Sequence, residues 1–165
     1  LQNETSFEDD KLHGITKTYY ESGELKIEAS YEEGNQQGLM KKYYKSGELD
    51  KEIYLKDNKI NGISKAYYES GALQNETSFE DDKLHGITKR YYESGKLYIE
   101  GSFKNDKKNG SFRLYHESGV LKSKTSYKDD KAMSHHIYFE DPRKSAWQVL
   151  IKSTGRQSIK CERKS

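Results

Sequence analysis

YYESG fills Tyr19–Gly23, returns at Tyr67–Gly71 and Tyr91–Gly95, and reappears as YYKSG at Tyr43–Gly47 and YHESG at Tyr115–Gly119. Each copy lies 24 residues or a multiple of 24 from the next, and other positions keep the same step. Gly14, Gly38, Gly62, Gly86 and Gly110 recur at that interval, as do Leu1, Leu25, Leu49, Leu73, Leu97 and Leu121. Residues 1–23 equal residues 73–95 except that Arg90 stands where Thr18 does. A fixed period of this length marks an array of small structural units.

The letters between the glycines alternate. In Leu25–Glu32 (LKIEASYE), Leu25, Ile27, Ala29 and Tyr31 fall on one side and Lys26, Glu28, Ser30 and Glu32 on the other. That is the period of two of a half-buried strand, which a helix would not sort in this way. Glu21-Ser22-Gly23 suits a three-residue hairpin loop ending in a left-handed residue, where glycine meets no steric cost. The second joint of each unit carries Asp10, Gly34, Asn58, Asp82, Asp106 or Asp130, the residue types that tolerate the same conformation. Two strands and two turns per 24 residues predict a hairpin repeat.

With three-residue loops at both joints, Tyr19 faces Leu25, Lys17 faces Ile27 and Ile15 faces Ala29. The first tyrosine of each doublet (Tyr19, Tyr43, Tyr67, Tyr91, Tyr115, then Phe139) is then a core residue beside Leu25, Leu49, Leu73, Leu97 and Leu121. The second (Tyr20, Tyr44, Tyr68, Tyr92, then His116) lies among Glu and Lys on the other face. A two-residue loop at either joint would reverse the assignment, because a slip of one residue moves every side chain across the sheet. One unit of 24 residues has too few apolar side chains to fold alone, so each must lean on its neighbours. The expected fold is all-β, an elongated single-layer antiparallel β-meander.

Composition agrees with that architecture. The 165 residues are 32% hydrophobic and 34% charged, which leaves little for a globular core, and the apolar content is concentrated in 14 Tyr and 5 Phe. No apolar run approaches the ~18 residues of a membrane-spanning helix. Residues 143–165 hold seven Lys/Arg and one Glu, so residues 1–142 carry 22 basic against 26 acidic groups. A mildly acidic array gives no positive stripe for phosphates, which argues against nucleic acid as a partner. Cys161 is the only cysteine and builds no disulfide framework.

The pattern G-x-x-x-x-YY-x-S-G-x-L, followed by an aromatic about eight residues after the glycine and then a polar turn, resembles the bacterial variant of the MORN repeat. The resemblance covers residues 1–139, five full units and part of a sixth. It implies successive antiparallel hairpins; bacterial relatives are often labelled antitoxin-like, and eukaryotic ones are linked to membrane attachment, scaffolding and phosphoinositide kinases. The pattern fades after residue 131: Ser134 takes the glycine position, and Asp141-Pro142 interrupts the repeat. Residues 140–165 form a separate basic segment, expected to be a hairpin capping the sheet edge through Trp147, Val149, Ile151, Ile159 and Cys161 around a turn at Ser153-Thr154-Gly155. The sequence opens with Leu1 in mid-repeat, which leaves room for an export signal ahead of it. The compartment stays open.

No set of residues converges on catalysis. His135 and His136 are adjacent and would point to opposite faces of a strand, with no ligand at metal spacing. Asp9-Asp10 and Asp81-Asp82 look like paired carboxylates, but Glu33-Gly34 fills the same place, which favours turn-making. There is no phosphate loop and no kinase-like segment. We therefore expect no enzyme, no cofactor and no metal. Two charge stripes remain: Lys17, Lys41, Lys65, Lys89 and Arg113, and Glu4, Glu28, Glu52, Glu76 and Glu100, which Lys124 ends. With the second-tyrosine stripe, the basic row is the candidate interaction surface. The expected function is a non-catalytic module for protein–protein interaction or scaffolding, with an unidentified protein or a second copy of the chain as partner; the alternative is peripheral binding to anionic lipid or the cell envelope.

Overall fold

The computed structural model describes residues 3–138 and the backbone of the strands Trp147–Lys152 and Cys161–Arg163. Every regular element among them is a β-strand, and successive strands run antiparallel in chain order, an all-β meander of hairpins. The chain divides into two compact units, residues 1–83 with 93–95, and residues 84–92 with 96–165. In the first, the order is Gly14–Tyr19, Leu25–Glu32, Gly38–Tyr43, Leu49–Lys56, Gly62–Tyr67 and Leu73–Glu80. In the second, Lys83–Tyr91 is followed by Leu97–Lys104, Gly110–Tyr115, Leu121–Lys128 and Lys131–Tyr138. Trp147–Lys152 then pairs with Lys131–Tyr138, and Cys161–Arg163 with Trp147–Lys152. The expectations for Phe139, for Asp141-Pro142 and for a turn at residues 153–155 fall outside the described residues.

The first joint is the three-residue loop expected. Tyr20 N–H donates to the Glu24 carbonyl at 2.8 Å and Gly23 N–H to the Tyr20 carbonyl at 2.9 Å, with Gly23 at φ 103°. The second joint has two residues. Glu32 pairs with Asn35 around Glu33-Gly34, and both turn residues have positive φ, 51° and 80°. Asp57-Asn58, Asn105-Asp106 and Asp129-Asp130 repeat this geometry. It is the tight turn whose twist matches that of paired strands, and it requires residues that accept left-handed φ at both positions.

The register differs from the expected one. Tyr19 does face Leu25, but a bulge places Lys26 between partners, so Thr18 faces Ile27, Lys17 faces Glu28, Thr16 faces Ala29 and Ile15 faces Ser30. The pairings Lys17–Ile27 and Ile15–Ala29 are thereby corrected. One extra residue in a single strand shifts its partner by one and so exchanges the faces. The same irregularity recurs at Tyr43, Tyr91 and Tyr115.

Few side chains are fully enclosed. Ala29, Leu55 and Ala66 are the buried apolar residues among those described, and no large side chain is wholly buried. In the second unit Phe112 stands edge-on to both Phe103 and Tyr127, at 5.3 and 5.1 Å between ring centres. The Leu25, Leu49, Leu73, Leu97 and Leu121 series is half-buried. Cohesion must therefore come largely from the backbone ladder and from bonds between neighbouring repeats.

Candidate functional site

The two tyrosines of each doublet have different partners. Tyr20 Oη donates to the Tyr43 carbonyl at 2.7 Å, Tyr44 to the Tyr67 carbonyl at 2.7 Å, and Tyr92 to the Tyr115 carbonyl at 2.8 Å. The second tyrosine thus ties one repeat to the next, 23 residues on. His116, last in that row, is half-buried. The first tyrosine reaches back to a carboxylate: Tyr19 to Glu4 at 2.7 Å, Tyr67 to Glu52 at 2.7 Å, Tyr115 to Glu100 at 3.0 Å. It lies on the Lys/Glu face, and the second tyrosine lies opposite, with Lys26 Nζ 5.6 Å from the Tyr20 ring centre. The two sets have exchanged the faces expected of them, for the register reason given above. Tyr43, Tyr67, Tyr91 and Tyr115 are half-buried, as are Tyr44, Tyr68 and Tyr92.

The charge stripes interleave. In the first unit the cross-strand order is Lys17–Glu28, Glu28–Lys41, Lys41–Glu52, Glu52–Lys65 and Lys65–Glu76. An isolated bridge sets Glu4 beside Lys17 ahead of them. In the second, Lys89 faces Glu100 and Glu100 faces Arg113. Opposite charges across strands contribute roughly 0.2–1 kcal/mol per pair, so the two rows form one internally neutralised ladder. Arg113 Nη1 meets Glu100 Oε1 at 2.8 Å. Partial burial works against ionisation of Glu100, but its bonds from Arg113 and Tyr115 outweigh that and hold the carboxyl below its usual value. Partial burial, then the bond to Glu52, push the Tyr67 hydroxyl up to about 12. The ladder breaks at Lys124, which faces Arg113 on one side and His136 on the other.

Beside the ladder, two residues along the same strands, runs an aliphatic row that the sequence reading had assigned to the core. Ile15, Leu39 and Ile63 of the first unit are 53%, 40% and 58% exposed. Their cross-strand neighbours are Ser30, Tyr54 and Ser78, and Tyr54 is 49% exposed. In the second unit Ile87 is likewise exposed and lines a shallow concavity of about 220 Å³ with Glu100, Gly101, Ser102, Ser111 and Arg113. The charged groups there satisfy each other. His135 Nδ1 lies 2.6 Å from Thr125 Oγ1, and no group of three His, Cys, Asp or Glu suited to a metal occurs among the described residues. The signal for the aliphatic row was present at positions 15, 39, 63 and 87; without the bulge it pointed to the wrong face.

A third set of bonds lies at the two-residue turns. Asp82 Oδ1 accepts from Ile60 N–H at 2.7 Å while Asp82 N–H donates to the Ile60 carbonyl at 3.0 Å. Asn58 with Gln36, Asp106 with Leu84 and Asp130 with Lys108 repeat this reciprocal clamp. At Gly34 only the backbone half survives, to the Leu12 carbonyl at 2.9 Å.

Tandem hairpins stitched at fixed positions, with one face carrying a neutral charge ladder and exposed aliphatics, define a repeat-array protein whose surface, not an enclosed pocket, is its working part. The chain belongs to the MORN repeat variant family, whose model matches residues 12–33, 36–57, 60–81, 84–105 and 108–129. No curated protein matches it. MORN repeats are generally associated with protein or membrane binding, and the family is typically non-catalytic.

Proposed function

We propose that this chain is a non-catalytic interaction module that presents its Lys/Glu face to another protein. The observation that carries this reading is the row Ile15, Leu39 and Ile63, large aliphatics held in water at the same place in successive repeats. Repeated exposed apolar groups rimmed by charge are a feature of protein contact surfaces. The lipid alternative draws less support, because each lysine of the ladder has a glutamate beside it and an anionic membrane attracts unpaired cations. It would rely on the basic residues from 143 onward.

Two measurements separate these readings. A photo-crosslinker at Leu39 should capture protein when the chain is incubated in extract, whereas one at Lys26, on the opposite face, should not. Equal capture from both positions counts against a specific face. Flotation with vesicles rich in phosphatidylserine is expected to show no binding; binding that disappears when residues 143–165 are removed would favour the lipid reading.

A further inference from the structure

We infer that the Lys/Glu face of the first unit is self-complementary and pairs with the same face of a second copy of this chain. The inference rests on the interaction reading above and names its partner. A row of one charge would select an oppositely charged partner. Here the sign changes at every strand, Lys17, Glu28, Lys41, Glu52, Lys65, Glu76, so a displacement of one strand, ~4.8 Å, inverts the pattern.

Place a two-fold axis parallel to the strands and midway between Gly38–Tyr43 and Leu49–Lys56, the central pair of the six strands. Each lysine then stands over a glutamate of the second copy: Lys41 over Glu52, Lys65 over Glu28, Lys17 over Glu76. The adjacent row is matched by the same operation. Leu39 meets Tyr54 at the centre, and Ile63 stands over the small side chain of Ser30, with Ile15 over Ser78. A two-fold interface must be complementary to itself in this way. The aliphatics alternate with serine on either side of the central pair, so projections on one copy meet gaps on the other.

Sheets twist by roughly 20° per strand, which draws the outer strands of two facing sheets apart. The contact is therefore centred on Leu39 and Tyr54, and Ile15 contributes least. An aromatic packed at the centre of an interface is where binding energy concentrates.

The test is sedimentation equilibrium of the full chain over about a hundredfold concentration range, since self-association responds to mass action. The expected result is a monomer–dimer equilibrium that Leu39→Thr and Tyr54→Thr each weaken about tenfold or more, with Ile15→Thr having a smaller effect. Threonine keeps strand propensity at these exposed positions, and circular dichroism confirms that each variant is folded. Lys41→Glu and Glu52→Lys should each weaken the dimer, and the double variant should restore it, because the ladder is then inverted at both places. A monomer at every concentration overturns the inference, and so does a dimer indifferent to Leu39→Thr and Tyr54→Thr. A monomeric protein whose Leu39 still crosslinks to a different protein would remove self-pairing and leave the interaction reading standing.

Discussion

At the scale of the residue, the doublet tyrosines make the same protein out of two chemistries. Tyr44 donates to a backbone carbonyl of the next repeat, so Tyr44→Phe should lose about 1 kcal/mol of stability, the usual net value of one such bond, measured by urea unfolding. Tyr67 donates to a carboxylate and its hydroxyl is pushed up to about 12. A group whose folded value lies above its unfolded value, near 10 for tyrosine, adds stability that is complete below the unfolded value. That stability is lost as pH rises through the folded one. The melting temperature should therefore fall between about pH 10 and 12, and Tyr67→Phe should fall less steeply. Gly101 shows a third residue-level constraint. A Cβ built there would overlap the Phe112 ring, whereas the positions one repeat pair earlier hold Ala29 and Met40. Gly101→Ala should cost about 1–3 kcal/mol, as overpacking does, and Phe112→Met should recover part of it in the double variant, read from chemical denaturation of all three proteins.

Among the elements, the turns decide how strongly neighbouring repeats are clamped. Gly34 is the one two-residue turn in the matched repeats whose second position lacks a side chain, and its φ of 80° is close to the 63° of Asn58 and 67° of Asp82. Space for the added group is ordinary, the nearest atom to a Cβ being Lys11 Cβ at 3.9 Å. Gly34→Asn should supply the missing acceptor for Leu12 N–H and stabilise the protein by about 0.5–1.5 kcal/mol, seen as a higher urea midpoint at unchanged slope. The converse holds at Lys124. Like charges set across strands destabilise, and Lys124 lies between Arg113 and His136. Lys124→Glu would continue the ladder by one step and should raise stability by roughly 0.2–1 kcal/mol, with the gain fading in high salt.

The whole molecule is governed by its period. Because each repeat contacts its neighbours through the same bonds, excising residues 36–59, one full period, leaves every remaining pair in register. Circular dichroism of that deletion should retain its β signal and melt at a lower temperature. Excising only residues 36–47 joins strands of unlike kind and should abolish the cooperative transition.

Period, strand content, the three-residue loop at Gly23 and the left-handed positions from Asp10 to Asp130 were legible in the sequence, because each is a local matter of alternation or of the φ a residue accepts. The bulge at Lys26 was not legible. Its position is held by Lys26, Asp50, Gln74, Tyr98 and Lys122 in turn, so no residue type marks it, and the flanking alternation looks the same with or without it. Only pairing with the neighbouring strand fixed that register, and with it which tyrosine bonds to glutamate, which bonds to backbone, and that Ile15, Leu39 and Ile63 face water. The repeat is a property of the chain, whereas the face is a property of contacts between strands, and a single inserted residue is enough to reverse it.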